Sequence, residues 1–179
     1  GVRYRTILAD PPWNETGGSR SPKYPLMKTS EIIGLSERVR SLSEDDAHLY
    51  LWVTNNYLPD GLSVIEAWGF NYKTVITWIK NSIGIGQYFR GATEICPFAT
   101  KGKTQFKVTC NGIGVAQASG AFYGRKSIHS KKPNIFYSII EKVSPPPYLE
   151  MFARQKREGW DAWGNDVAAS PPLFSEART

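Results

Sequence analysis

Apolar and polar positions recur with two different periodicities along the chain, and the change from one periodicity to the other predicts strands interleaved with helices. Short continuous apolar runs are typical of strands buried on both faces. These runs, with one alternating segment, predict strands over residues 4–9, 48–53, 72–79, 92–100, 148–153 and 160–163. Because strands that alternate with helices form parallel sheets, we expect an α/β fold with a mostly parallel sheet covered on both faces.

The helical periodicity, with apolar residues three and four positions apart, occurs three times. It predicts a helix capped by Thr29 or Ser30, a helix over residues 58–68 that ends at Gly69, and a helix with Pro133 in its first turn. A hydroxyl cap, a glycine after the last turn and a proline in the first turn are signals of helix boundaries. Each predicted helix therefore connects two predicted strands.

The length of 179 residues, of which 41% are hydrophobic, suits a single domain with a sizeable core. We expect that domain over residues 1–167 and a C-terminal tail over 168–179. No apolar run approaches the roughly 20 residues needed to cross a membrane, and the first residues lack a secretory pattern, so we expect a cytoplasmic protein. Cys96 and Cys110 lack metal-ligand spacing, so we expect reduced thiols, one or both buried, and no metal site.

Positive charge distinguishes the middle of the chain, within a net charge of +6. Residues 80–126 interleave lysine and arginine with glycine and aromatic residues. This mixture suits a surface that contacts phosphates and stacks on bases, and it also suits a solvated loop face. The candidate phosphate-binding residues are Lys101, Lys103, Lys107, Arg125 and Lys126. The aromatic residues expected to be exposed, for stacking or for a protein interface, are Phe89, Phe106, Phe122 and Tyr123.

The tetrad Asp10-Pro11-Pro12-Trp13 follows the first predicted strand and indicates a chemistry. The two prolines fix their own φ angles and extend the residues before them, so the chain leaves the strand as a stiff hook. A fixed carboxylate and a proline carbonyl can accept both hydrogens of an aromatic amine, while an indole lies against the ring. The tetrad therefore predicts a receptor for an aromatic amine, and Trp13 and Tyr24 are the candidates to stack on a base.

Six motifs in a fixed order resemble the adenine-N6 methyltransferases typified by the eukaryotic messenger-RNA adenosine methyltransferase. They cover the chain from about Tyr4 to Val167. They are Asp-Pro-Pro-Trp at 10–13, Tyr-Pro-Leu-Met at 24–27, Leu-Trp-Val-Thr at 51–54, His-Ser-Lys-Lys-Pro at 129–133, Leu-Glu-Met-Phe-Ala-Arg at 149–154 and Gly-Trp-Asp-Ala-Trp-Gly-Asn at 159–165. The resemblance implies a Rossmann-like sheet in a permuted order, with the catalytic segment before the cofactor-binding strand.

The resemblance also implies S-adenosylmethionine as cofactor and assigns roles to single residues. Asp10 would contact both the reactive amine and the methionine amino group of the cofactor, and Lys132 would bind the methionine carboxylate. Glu150 and Arg154 would lie near the ribose hydroxyls. The other residues that it implies at the cofactor are His129, Ser130, Phe152, Asn165 and Asp166. The chain has Gln155, Lys156 and Arg157 where the family often has His or Asn, which weakens the assignment of the ribose contacts.

The substrate that the resemblance implies is adenine in nucleic acid, and the brevity of the chain favours DNA over RNA. An RNA adenosine methyltransferase and a catalytically silent partner subunit remain alternatives. A silent subunit is expected to have lost the tetrad or the cofactor lysine, and this chain has both. Because larger enzymes carry a separate target-recognition domain, we also expect a homodimer or a homologous partner subunit.

Overall fold

Seven strands form one sheet in the computed structural model, which describes residues 1–14, 25–84, 86–103, 117–125 and 131–164. The strands are β1 (Tyr4–Ala9), β2 (Ser43–Leu51), β3 (Asn71–Lys80), β4 (Thr93–Lys101), β5 (Ala121–Gly124), β6 (Tyr148–Met151) and β7 (Trp160–Trp163). The helices are α1 (Thr29–Ile33), α2 (Ser36–Leu42), α3 (Leu58–Ala67) and α4 (Ile135–Val143), with a 3-10 turn at Asn55–Tyr57. Every predicted strand is therefore present, which confirms the α/β class.

The strand order across the sheet is β5-β3-β4-β2-β1-β6-β7. β4 is antiparallel to both β2 and β3, and the other neighbouring strands are parallel. The chain passes from β1 to β2 on one side and returns to β6 on the other side. β1 is therefore a topological switch point, where ligands of open α/β sheets bind at the carboxyl ends of the strands.

Two apolar layers cover the sheet. On one face, α1, α2 and α3 bury Ile32, Val39 and Val64 against β1 and β2. On the other face, α4 buries Phe136 and Ile140 against an aromatic layer that includes Trp52, Trp78 and Trp160. The tryptophans at 52, 68, 78 and 160 are all buried and belong to the core.

Two parts of the structure differ from the sequence prediction. The helix predicted after residue 29 is divided into α1 and α2 at Gly34 and Leu35, and Thr29 is its first residue while Lys28 is the cap. The sequence predicts no strand between residues 100 and 148, but β5 adds to β3 there, and the Phe122 ring stacks on Phe136 with centroids 5.5 Å apart. The expectation that Phe122 is exposed was wrong, because its side chain fills the face that α4 covers.

Candidate active site

Asp10 is the first residue after β1 and lies at the switch point between β2 and β6. Its backbone N–H donates to Met151 O of β6 at 3.4 Å. After the two prolines, the indole Nε1 of Trp13 donates to Trp52 O at 2.9 Å. The Met27 N–H donates to Pro12 O at 2.8 Å and closes the far side of the hook. The stiff turn predicted from the two prolines is thus fixed to both neighbouring strands.

A line of four alternating charges crosses the carboxyl edge of the sheet from β3 to β1. Lys80 Nζ lies 2.6 Å from Glu94 Oε1, and Lys132 Nζ lies 3.0 Å from Glu94 Oε2. Lys132 Nζ also lies 3.3 Å from Asp10 Oδ2. The four side chains are only 14–25% exposed. We define them as the charge line.

The charges of this line stabilise one another despite their burial. Burial by itself lowers the pKa of Lys132, but Asp10 and Glu94 more than offset it, so the pKa is raised above the ordinary lysine value. Burial by itself raises the pKa of Glu94, but Lys132 and Lys80 more than offset it, so the pKa is lowered. Both groups are therefore charged at neutral pH.

The indole rings of two tryptophans support the two ammonium groups of the charge line. Lys132 Nζ lies 5.1 Å from the ring centroid of Trp52, and Lys80 Nζ lies 5.1 Å from that of Trp78. The two indoles meet edge to face, with centroids 6.3 Å apart. A cation over an indole face is attracted by the ring quadrupole, so each ammonium is stabilised by an indole ring as well as by carboxylates.

Glu150 lies on the other side of Asp10, in β6. The hydroxyl of Tyr137 donates to Glu150 Oε1 at 2.7 Å, and the guanidinium of Arg157 lies 3.6 Å from the centre of the Tyr137 ring. Burial raises the pKa of Glu150, and the charge of Asp10 raises it further. This carboxylate has a partner within the protein, as a buried polar group requires. It lies near Asp10 at the carboxyl ends of β1 and β6, where open α/β sheets form their ligand crevice.

The backbone bends sharply where β6 ends. Phe152 has φ 63°, a left-handed conformation that is rare for a bulky residue, and its ring packs on Trp163. The Ala153 N–H donates to Trp163 O at 2.9 Å. A Cβ at Gly164 would collide with the backbone of Ala153, so only glycine permits this close approach. Residues held in such rarely populated backbone conformations cluster at binding and active sites.

The structure brings only some of the sequence-predicted residues to this crevice. Asp10, Lys132 and Glu150 surround it, and Phe152 lies two residues after Glu150. Arg154 lies two residues further on and is exposed. The remaining cofactor candidates His129, Ser130, Asn165 and Asp166, and the substrate candidates Tyr24, Lys107 and Lys126, lie outside the described residues.

Trp13 is 7% exposed and belongs to the core, packed against Tyr57 at a centroid distance of 5.5 Å. Its role in base stacking stays a prediction, and the structure leaves it little exposed surface. Pro11 O and Pro12 O each already accept a backbone N–H, from Trp13 and Met27 respectively. A proline carbonyl has a second lone pair, so its role as acceptor for an amine also stays a prediction.

Lys101 and Lys103 are not near Asp10. β4 runs in reverse, so its start lies at the Asp10 edge and its end lies at the opposite edge, and 9 residues span roughly 30 Å. At that far edge Lys101 Nζ donates to Ser43 Oγ at 2.9 Å, and the Lys103 N–H donates to Asp46. Their role as phosphate contacts stays a prediction, and the reversed direction of β4 places them at the edge of the sheet opposite Asp10.

Arg125 is at the Asp10 edge, because β5 is parallel to β1. It lines a shallow concavity with Asn81 and Tyr123, and the Tyr123 side chain is 80% exposed. The loop between β3 and β4 extends from the same edge and carries Tyr88 and Phe89, which are 93% and 92% exposed. Exposure of Phe89 and Tyr123 agrees with the sequence prediction, and Phe106 lies outside the described residues.

Sequence reasoning missed three polar residues of the site: Lys80, Glu94 and Tyr137. Glu94 sits near the start of β4, and only a reversed strand brings that position to the edge where parallel strands end. A glutamate within an otherwise apolar strand was the available signal, since a buried carboxylate needs a partner. Tyr137 had no such signal, because it fits the apolar face of α4.

Among the described residues, no group of three or more His, Cys, Asp or Glu side chains could hold a metal ion. Within the same residues, no helix is long and apolar enough to cross a membrane. Cys96 is buried beside the charge line, and burial raises the pKa of its thiol. Cys110 is outside the described residues.

The model of the family described as MT-A70 matches residues 4–166. The chain belongs to the MT-A70 family. Within it, the chain is 30% identical over 189 residues to the type II methyltransferase M.MunI of a Mycoplasma species, a match that covers 92% of this chain and 78% of the relative. The chain is therefore a methyltransferase, as the six motifs predicted.

Two further relatives have names that refer to adenosine methylation at N6. The N6-methyladenosine RNA methyltransferase MTA1 of Cryphonectria parasitica is 26% identical, with 90% of this chain and 51% of the relative covered. The human N(6)-adenosine-methyltransferase catalytic subunit METTL3 is 24% identical, with 92% and 28% covered. The chain thus spans about half or less of these two relatives and most of M.MunI.

Proposed function

We propose that this chain transfers a methyl group from S-adenosylmethionine to the exocyclic N6 amine of adenine in DNA. The observation that carries the proposal is the Asp10 carboxylate, fixed at the switch point by the hook and paired with Lys132 at 3.3 Å. Asp10 Oδ2 faces Lys132, and Oδ1 is the oxygen that we assign to the amine.

The chemistry follows from the amine of adenine, which is a poor nucleophile because its lone pair is delocalised into the ring. Asp10 would accept one N–H and a carbonyl of the hook would accept the other. Two fixed acceptors favour a pyramidal nitrogen whose lone pair points away from them, which stabilises the transition state more than the ground state. Holding the amine in line with the methyl group contributes much of the remaining acceleration.

The donor groups around the crevice fit S-adenosylmethionine, which supplies a methyl group on a sulfonium. Lys132 has three N–H groups and uses two on Asp10 and Glu94, so the third can bind the methionine carboxylate. Asp10 would accept from the methionine amino group. Glu150, oriented by Tyr137, would accept from ribose hydroxyls.

DNA is proposed over RNA because of the names of the relatives and their identities to this chain. The relative named as a type II methyltransferase is 30% identical, and the two named for adenosine methylation are 26% and 24% identical. An adenine within a duplex cannot reach a crevice at the end of a strand, so it must be unpaired or flipped out, at a cost of a few kcal/mol.

The assembly that we propose is a homodimer or a pair with a homologous subunit. The support is the exposed pair of aromatic rings on the β3–β4 loop, since aromatic residues are enriched in protein interfaces. Light scattering of the free protein and of its nucleic-acid complex tests this proposal. A monomeric mass in both, with full activity and no added partner, contradicts it.

The experiment for the proposed function uses S-adenosylmethionine labelled in its methyl group. The protein is incubated with matched DNA and RNA oligonucleotides, single-stranded and double-stranded, and the labelled nucleoside is identified. We expect N6-methyldeoxyadenosine in DNA at a rate well above that of the RNA arm. Label in RNA alone identifies an RNA methyltransferase, and no label in any arm identifies a silent subunit.

A further inference from the structure

The charge line contains two residues, Lys80 and Glu94, that neither the tetrad nor the cofactor lysine accounts for. Their pair is short, at 2.6 Å, and only 14% and 18% exposed. Ion pairs at this depth require several hydrogen bonds to offset the loss of hydration. Glu94 has them: Lys80 binds Oε1 and Lys132 binds Oε2, so each oxygen faces a different ammonium.

Glu94 and Asp10 share the ammonium of Lys132. The Glu94 contact to Lys132 is 3.0 Å, and the Asp10 contact is 3.3 Å. An ammonium with a single carboxylate partner would move onto it and engage both of its oxygens. Held between two carboxylates, Lys132 leaves Asp10 Oδ1 to the substrate amine and its own third N–H to the cofactor.

Lys80 in turn fixes Glu94. It is the last residue of β3, its backbone N–H donates to Ala92 O, and its ammonium lies over Trp78. Without this cation, Glu94 would be a carboxylate with an open oxygen in a largely buried site. It would then rotate toward solvent or draw Lys132 further from Asp10.

We propose that Lys80 and Glu94 are positioning residues, which act through Lys132 to keep Asp10 in the geometry that accepts the adenine amine. Neither residue touches the reacting atoms. This inference rests on the proposed function for its activity readout, but its effect on cofactor binding is measured independently of that function.

The test compares single and double variants. Glu94→Gln and Lys80→Met are expected to lower the single-turnover rate of methyl transfer by about 10²-fold, because a displacement of about 1 Å of a reacting group has effects of this size. Lys80→Arg keeps the charge and is expected to retain most of the rate. In a Lys132→Met background, adding Glu94→Gln is expected to change the residual rate by less than about threefold, since residues that act as one unit are not additive.

Lys73→Met is the matched control, because Lys73 is an exposed lysine of the same strand, β3. It is expected to leave the rate unchanged. All rates are measured well below the unfolding temperature of each variant, and Lys80→Met remains informative if Glu94→Gln does not fold. An unchanged rate in both single variants overturns the proposal. So does a full additional loss when Glu94→Gln is placed in the Lys132→Met background.

Calorimetry with S-adenosylmethionine separates this proposal from the proposed function. Glu94→Gln is expected to weaken cofactor binding at least about threefold in the natural background and not in the Lys132→Met background. If no nucleic acid is methylated but this dependence is observed, the positioning role stands and the proposed substrate is wrong. Equal weakening in both backgrounds shows that Glu94 does not act through Lys132.

Discussion

The indole N–H of Trp13 donates to the backbone carbonyl of Trp52 across 2.9 Å, in a buried position. Trp13 ends the hook that follows β1, and Trp52 follows β2, so the bond ties the hook to the neighbouring strand. The ring of Trp52 also lies beneath the ammonium of Lys132. This pair of tryptophans therefore helps to fix the positions of both the Asp10 carboxylate and the Lys132 ammonium.

The first prediction concerns this bond. Trp13→Phe removes the donor, leaves a buried carbonyl without its partner and is expected to lower the free energy of unfolding by about 1–3 kcal/mol. Because the hook loses its fixed position, the rate of methyl transfer is expected to fall by a further order of magnitude or more at temperatures where the variant is folded. Chemical denaturation and single-turnover kinetics measure the two effects.

Trp68→Phe is a matched control for Trp13→Phe. The Trp68 indole also donates to a buried carbonyl, Ile32 O at 3.0 Å, in the same apolar layer as Trp13, but this bond does not hold the hook. The Trp68→Phe variant is expected to lose as much free energy of unfolding as Trp13→Phe and to keep the natural rate of methyl transfer. Equal losses of turnover in the two variants would mean that the hook bond is structural only.

The second prediction concerns cofactor binding. Lys132→Ala removes a charge-assisted hydrogen bond, which is generally worth about 1.5–3 kcal/mol, so the Kd for S-adenosylmethionine is expected to rise by roughly tenfold to a hundredfold. Lys131→Ala serves as the control, because Lys131 is exposed to solvent and its ammonium contacts Gln155. Isothermal titration calorimetry measures the Kd of both variants for S-adenosylmethionine. Equal Kd values would remove Lys132 from the cofactor site.

The third prediction concerns pH and the stability of the fold. The pKa of Glu94 is lowered in the folded protein, so its ionised form adds stability above the ordinary glutamate pKa of about 4.3, and this contribution is lost as the pH falls through the folded value. The unfolding free energy of the natural protein is expected to fall more steeply below pH 5 than that of Glu94→Gln, by up to about 1.4 kcal/mol per pH unit. Parallel pH profiles from urea denaturation would contradict the assigned pKa direction.

The fourth prediction separates the two edges of the sheet. Arg125→Ala with Lys126→Ala is expected to reduce the slope of log K against log salt by about 0.9 for each phosphate that the variant no longer binds. Lys101→Ala with Lys103→Ala, at the far edge, is expected to leave the slope unchanged. Fluorescence anisotropy with labelled DNA from low to moderate salt measures both. A flatter slope in the far-edge variant alone would move the nucleic-acid surface away from Asp10.

The sequence predicted the strands and the position of Asp10, because apolar runs and prolines act locally. Residues 4–9 and 160–163 coincide with β1 and β7, and the helix ending at Gly69 is present. Asp10 reaches the crevice because β1 is central and parallel to its neighbours, which the alternation of strands and helices already indicated.

Strand direction and pairing were beyond the sequence, and the errors follow from them. Because β4 is antiparallel to its neighbours, Glu94 lies at the edge of the sheet near Asp10 and Lys101 lies at the opposite edge. The apolar pattern of a strand is the same in both directions, so it could not predict this. Strand β5 has only four residues, with a glycine before it and a glycine at its end, so its sequence did not predict a strand. Phe122 was therefore expected on the surface.

The central claim is that the Asp10 carboxylate binds the adenine amine in the transition state, and Asp10→Asn tests it most directly. The amide keeps the shape of the side chain but replaces one acceptor oxygen with a donor. We expect the single-turnover rate of methyl transfer to adenine in DNA to fall by at least about 10²–10³-fold, in a variant whose unfolding is still cooperative. A rate within a few-fold of that of the natural protein would contradict the account.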